Sequence, residues 1–302
     1  MRSSGLRFRL GAALAAALVG GGATAAAHEA PPTATAAAPR TILFIGNSFT
    51  QGAHSALRNW RANSVTDLNR AGYGGVPALF KAFTEQVGLH YDVSLETQGG
   101  RSLAFHYKER LTLVNRRWDV VVLQEYSTLA KERPGDPANY VRDVGRFAKV
   151  MQARNRNVDL LLMPTWTRAD QTYTPDGHWF QKPVTAMADE LYAAAIKAKA
   201  ATPGRVGILP VGTAWNRAFA AKVADPNPYD GTTFGQLNLW TYDHYHASVA
   251  GYYLEALVVF GGVTGIDPTR LGPDEKAADE LGLGNDQAAA LQKIARDELV
   301  AR

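Results

Sequence analysis

The chain of 302 residues contains no cysteine. That excludes disulfide frameworks, thiolate zinc sites, iron–sulfur clusters, a cysteine nucleophile and an N-terminal lipidated cysteine. Charge of one sign is also scarce: 32 Lys and Arg face 28 Asp and Glu, a net of +4. Long apolar runs are lacking. Residues 10–19 come nearest, but Gly20-Gly21-Gly22 ends that run short of the ~20 residues needed to span a bilayer. What remains is ordinary globular composition, 46% hydrophobic and 20% charged, which excludes wholesale disorder and fibrous repeats.

The small positive excess has a location. Arg2, Arg7 and Arg9 precede the apolar stretch, and Ala25-Ala26-Ala27 follows it. Residues 1–27 therefore read as a secretory signal peptide cleaved before His28. They hold three Arg and no acid, so without them the charge falls to +1. A basic patch for nucleic acid is then not expected. The expected location is the bacterial periplasm or the exterior, with no stable membrane span. Residues 28–40, rich in Ala, Pro and Thr, read as a flexible leader.

From residue 41 a pattern repeats: a short apolar run, a polar or Gly-containing junction, an amphipathic stretch. Strands are predicted at 41–45, 91–95, 119–123, 158–163 and 206–209. Val120-Val121-Val122-Leu123 has the continuous apolar character of a strand buried on both faces. Helices are predicted between them, at 248–260 with Ser248 as N-cap, and at 274–281 and 286–300. Strand–helix alternation implies α/β class: one domain over 41–302, a five-stranded parallel sheet between two helical layers, and C-terminal helices. Loops at 125–138, 165–182 and 224–246 are long enough to carry function.

Ser48 follows the first strand and Gly46, which puts it at the carboxyl edge of the sheet. There it is a candidate nucleophile whose own N–H can face an oxyanion, or simply a capping serine. A serine hydroxyl needs a base. His246 lies in Tyr242-Asp243-His244-Tyr245-His246, where Asp243 can orient one ring nitrogen and leave the other for Ser48. His244 is the alternative base, and a helix-capping surface loop is the plain alternative to both. A metal site from His178, His244, His246 and Asp243 lacks the His-Glu-x-x-His spacing of a zinc helix, so no metal and no cofactor is expected.

Together these elements resemble the SGNH (GDSL-like) hydrolase family. Gly46-Asn47-Ser48-Phe49-Thr50 matches its nucleophile element, and Asp243-His244-Tyr245-His246 its acid–base element. Gln98-Gly99-Gly100-Arg101-Ser102 stands where the family supplies an oxyanion N–H, with Gly100 preferred over Gly99. Leu123-Gln124-Glu125 and Gly251-Tyr252-Tyr253-Leu254 match one branch of the superfamily. The resemblance implies a flavodoxin-like sandwich with strand order 2-1-3-4-5. It also implies a Ser48–His246–Asp243 triad, and an oxyanion hole from the N–H groups of Ser48 and Gly100 and the side-chain amide of Gln124. Losing one such donor typically costs ~2.7–4 kcal/mol of transition-state stabilisation. Glu125, Trp166 and Arg168 are candidate substrate contacts; in the 165–182 loop, aromatic rings would stack on sugars or pack among themselves. The expected function is a secreted serine esterase acting on acyl, chiefly acetyl, esters of small molecules or carbohydrates. A polysaccharide O-acetyltransferase or a non-catalytic carbohydrate-binding protein of the same fold is the alternative.

Overall fold

Strand β1 (Arg40–Gly46) is apolar on both sides. Ile42 and Phe44 join one buried cluster, and Leu43 and Ile45 join the other. With successive side chains pointing to opposite faces, such a strand must lie in the middle of a covered sheet. It does: β1 pairs in parallel with β3 (Tyr91–Thr97) on one side and β4 (Val120–Leu123) on the other. Beyond β4 come β5 (Asp159–Leu162) and β6 (Val206–Ile208). The structure, a computed structural model, describes residues 38–302. The expected signal peptide at 1–27, and all but the end of the expected leader, lie outside the described residues.

One face of the sheet is covered by α1 (Gly75–Gln86), α7 (Val211–Ala220), α8 (Val249–Thr264) and α10 (Asn285–Val300). The other carries α2 (Leu103–Glu109), α4 (Ala138–Arg154) and α6 (Ala186–Ala201). Three short helices, α3 (Leu111–Val114), α5 (Ala169–Tyr173) and α9 (Lys276–Glu280), fill the connections. Ser248 caps α8 by accepting from the Gly251 N–H, as its position predicts, and Gly265 ends that helix in a left-handed conformation.

The expected five strands are present in the order 2-1-3-4-5, but the sheet has six. The order is β2-β3-β1-β4-β5-β6, where β2 (Thr66–Asp67) is a two-residue edge strand on β3. Thr66 and Asp67 show no apolar run; their pairing with Ser94 and Leu95 makes them a strand. The neighbouring strands β3, β1 and β4 all end on one edge, so the segments after Thr97, Gly46 and Leu123 converge there. Strand order reverses between β1 and β4, the position where open α/β sheets hold ligands.

Candidate active site

Gly46 ends β1 where no side chain fits: a Cβ there would lie 2.7 Å from Gln124 Oε1. The next residue ties the turn to its neighbours. The Asn47 N–H donates to Gln124 Oε1 (2.9 Å). Its side-chain amide donates to the carbonyls of Arg101 (3.0 Å) and Glu125 (3.4 Å), and its Oδ1 accepts from the Phe49 N–H (3.2 Å). Thus the loops after β3 and β4 both hold the turn that presents Ser48. From α8, the Tyr252 hydroxyl donates to the carbonyls of Ala53 (3.1 Å) and Ser48 (3.3 Å).

Ser48 Oγ stands 2.8 Å from His246 Nε2, and His246 Nδ1 stands 2.6 Å from Asp243 Oδ2. The other carboxylate oxygen, Oδ1, accepts from the N–H groups of Tyr245 (3.0 Å) and His246 (2.8 Å). Burial pushes the Asp243 carboxyl up. Hydrogen bonds from the His246 side chain and N–H and from Tyr245 outweigh that, and hold it below its ordinary value. For His246 burial is the largest effect and favours the neutral ring. Asp243 opposes it, while His54 and Arg168 add to it, and the imidazole lies below its ordinary value. A neutral base hydrogen-bonded to a serine, with an ionised acid behind it, can draw the proton from Oγ. His244 does not share these bonds; its ring packs against Tyr229 at 4.1 Å.

Among the described residues, the N–H groups of Ser48 and Gly100 donate no hydrogen bond. Gly100 adopts φ +66°, a left-handed conformation suited to glycine, and is exposed at the rim. Gln124 departs from the expectation. Its side chain is fully buried and turned beneath the nucleophile turn. Oε1 accepts from the Asn47 N–H and from Thr50 Oγ1 (3.1 Å), while Nε2 donates to the Glu125 carbonyl. Its amide is therefore a clamp on the turn and does not face an oxyanion.

The candidate substrate contacts need correction too. Trp166 is fully buried, stacked on Trp215 with ring centres 4.6 Å apart, so it cannot stack on a sugar. Glu125 is buried. Its Oε1 accepts from the N–H groups of Leu103 (3.2 Å) and Tyr126 (2.6 Å), and burial pushes its carboxyl up to about 8. Arg168 holds Asp170 with two bonds (3.0 and 2.6 Å) and lies 3.6 Å over the Tyr245 ring, which packs 4.0 Å from the ring of His246. It backs the base and touches Ser127 Oγ at 3.3 Å.

Sequence reasoning assigned no role to His54. Its ring centre lies 4.5 Å from that of His246, its Nδ1 lies 2.7 Å from the Tyr242 hydroxyl, and its backbone is left-handed (φ 61°). Its place six residues after Ser48 was the available signal. Among the described residues, His54, Asp243 and His246 form a cluster tight enough to hold a cation. That is not the set containing His178 and His244 weighed from sequence. A cation there would compete for the atoms that now bond within the triad.

No family model and no curated protein sequence matches the chain. Solved structures do. A DUF4886 family protein from Bacteroides uniformis superposes with TM-score 0.57 at 17% identity, covering 87% of this chain and 95% of that one. An acetylxylan esterase from Geobacillus stearothermophilus gives TM-score 0.47 at 13% identity, covering 74% and 94%. An extracellular lipase from Streptomyces rimosus gives 0.44 at 15%, covering 72% and 98%. At such identities the likeness is one of fold. The chain shares its fold, a parallel sheet between two helical layers, with the DUF4886 family protein.

Proposed function

We propose that the protein is an exported serine esterase that hydrolyses acyl, chiefly acetyl, esters of carbohydrates through an acyl-enzyme. The observation that carries this is the continuous chain Ser48 Oγ–His246 Nε2 (2.8 Å) and His246 Nδ1–Asp243 Oδ2 (2.6 Å), at the sheet edge where ligands bind.

Ser48 Oγ attacks the ester carbonyl carbon as its proton passes to His246 Nε2. The imidazolium that forms is stabilised by Asp243, whose carboxylate stays ionised. The oxyanion is met by the N–H groups of Ser48 and Gly100, both without a competing acceptor among the described residues. When the tetrahedral intermediate collapses, the alcohol leaves with the proton from His246, and Ser48 carries the acyl group. Water, deprotonated by the same nitrogen, then attacks the acyl carbon and frees Ser48 and the carboxylic acid.

Among the described residues no helix is long and apolar enough to cross a membrane. Export rests on the Arg2, Arg7 and Arg9 region, the apolar stretch and the alanines at 25–27. Hydrolysis of an activated acetyl ester by wild type, and its loss in Ser48→Ala, tests the reading. A fully active Ser48→Ala protein contradicts it.

A further inference from the structure

Between the loops after β3 and β4 lies a cavity of about 470 Å³. One edge is Gly100, the proposed oxyanion donor, so the cavity adjoins the place proposed for the ester carbonyl. The walls combine aromatic and cationic groups: Phe105 and Tyr126, with Arg101, Lys131 and Arg133. Glu132 is the one acid that lines it. Arg133 is neutralised by Asp136 at 2.8 Å. Among the described residues, Arg101 and Lys131 have no such carboxylate partner. Arg101 lies over the Phe105 ring at 5.0 Å, and Arg110 lies at 5.4 Å from the same ring, which adds a second positive charge behind that wall. A cation braced on an aromatic face is held in place while its guanidinium edge stays available for a planar anion.

We propose that this cavity takes the sugar of the substrate and that the sugar carries a carboxylate: the enzyme acts on acylated sugar acids. The proposal rests on the esterase reading. Tyr126 offers an aromatic surface to the pyranose ring, while Phe105 serves to brace Arg101. Arg101 and Lys131 meet the carboxylate, in a cleft where few competing acids screen them. A neutral acylated sugar fits the same space but leaves both cations without a partner. Selection between the two is therefore electrostatic, and salt weakens it.

The test compares kcat/KM for an acetylated methyl glucuronoside and the corresponding acetylated methyl glucoside, with para-nitrophenyl acetate as a small neutral ester. The uronoside is expected to be preferred by about tenfold or more, as a charge-assisted contact provides. That preference shrinks with added salt. It falls towards one in Arg101→Gln/Lys131→Gln, and in part in the exposed-loop variant Lys131→Gln alone. Turnover of para-nitrophenyl acetate with no preference between the sugars overturns the proposal and leaves the esterase standing. A preference that neither variant reduces also overturns it. No turnover of any of the three esters overturns the esterase reading itself, and the proposal with it.

Discussion

Among the described residues, two histidines are hydrogen-bonded to a carboxylate, in the pairs Asp243–His246 and Glu96–His106. In both, a carboxylate oxygen holds the Nδ1 of a histidine. They differ in what the other ring nitrogen meets. His246 Nε2 faces Ser48 Oγ in a partly open site. His106 Nε2 is buried and, among the described residues, has no partner; both members of its pair are fully buried. Glu96 lies on β3 and His106 on α2, so that pair joins the two elements flanking the Gly100 loop, and Asn69 adds a bond to Glu96 at 3.0 Å. A carboxylate orients a histidine in either setting. Only a nucleophile on the second nitrogen makes the histidine a base.

Breaking each pair should therefore have unlike consequences. Asp243→Asn leaves the fold intact and removes the acceptor that sets the ring tautomer. Turnover of an acetyl ester should fall by about ten-thousand-fold with unfolding nearly unchanged, read by steady-state kinetics and chemical denaturation. His106→Ala should do the reverse. It strips a buried carboxylate of its partner and should cost about 3–5 kcal/mol of stability, with a far smaller loss of turnover. Stability untouched by His106→Ala, or turnover untouched by Asp243→Asn, would break the contrast.

A smaller effect sharpens it. His246 must be neutral to accept the Ser48 proton. Burial, with help from His54 and Arg168, holds its pKa below the ordinary value. The acid limb of kcat/KM should accordingly lie below about 6.5, with activity rising through that limb as pH increases. Arg168→Met removes one charge that disfavours the imidazolium, so the limb should move upward by less than a unit in a pH–rate profile. A downward move would contradict the sign.

Much of this was legible in the chain. β1 and β4 announced themselves because both of their faces are buried, which leaves unbroken apolar runs, whereas β3 showed the alternation of a strand. Ser48, Asp243 and His246 stood out because each closes a short linear element beside a strand or helix terminus. What was hidden depends on distant partners. β2 exists only through its pairing with β3. Trp166 could, from sequence, stack on a sugar or pack within its loop; the partners that enclose it, Trp215 on α7 and Tyr252 on α8, lie far along the chain. Gln124 carries the right amide for an oxyanion. Its direction is set by the Asn47 N–H and Thr50 below it, neighbours that meet it only once β1 and β4 are side by side.

The central claim is that His246 activates Ser48 and no other hydroxyl in the cleft. Labelling with a fluorophosphonate, followed by mass analysis of the digested protein, tests it most directly. The account predicts one adduct, on Ser48, formed by wild type and absent from Ser48→Ala and His246→Ala. An adduct on another residue, or equal labelling of Ser48→Ala, would contradict it.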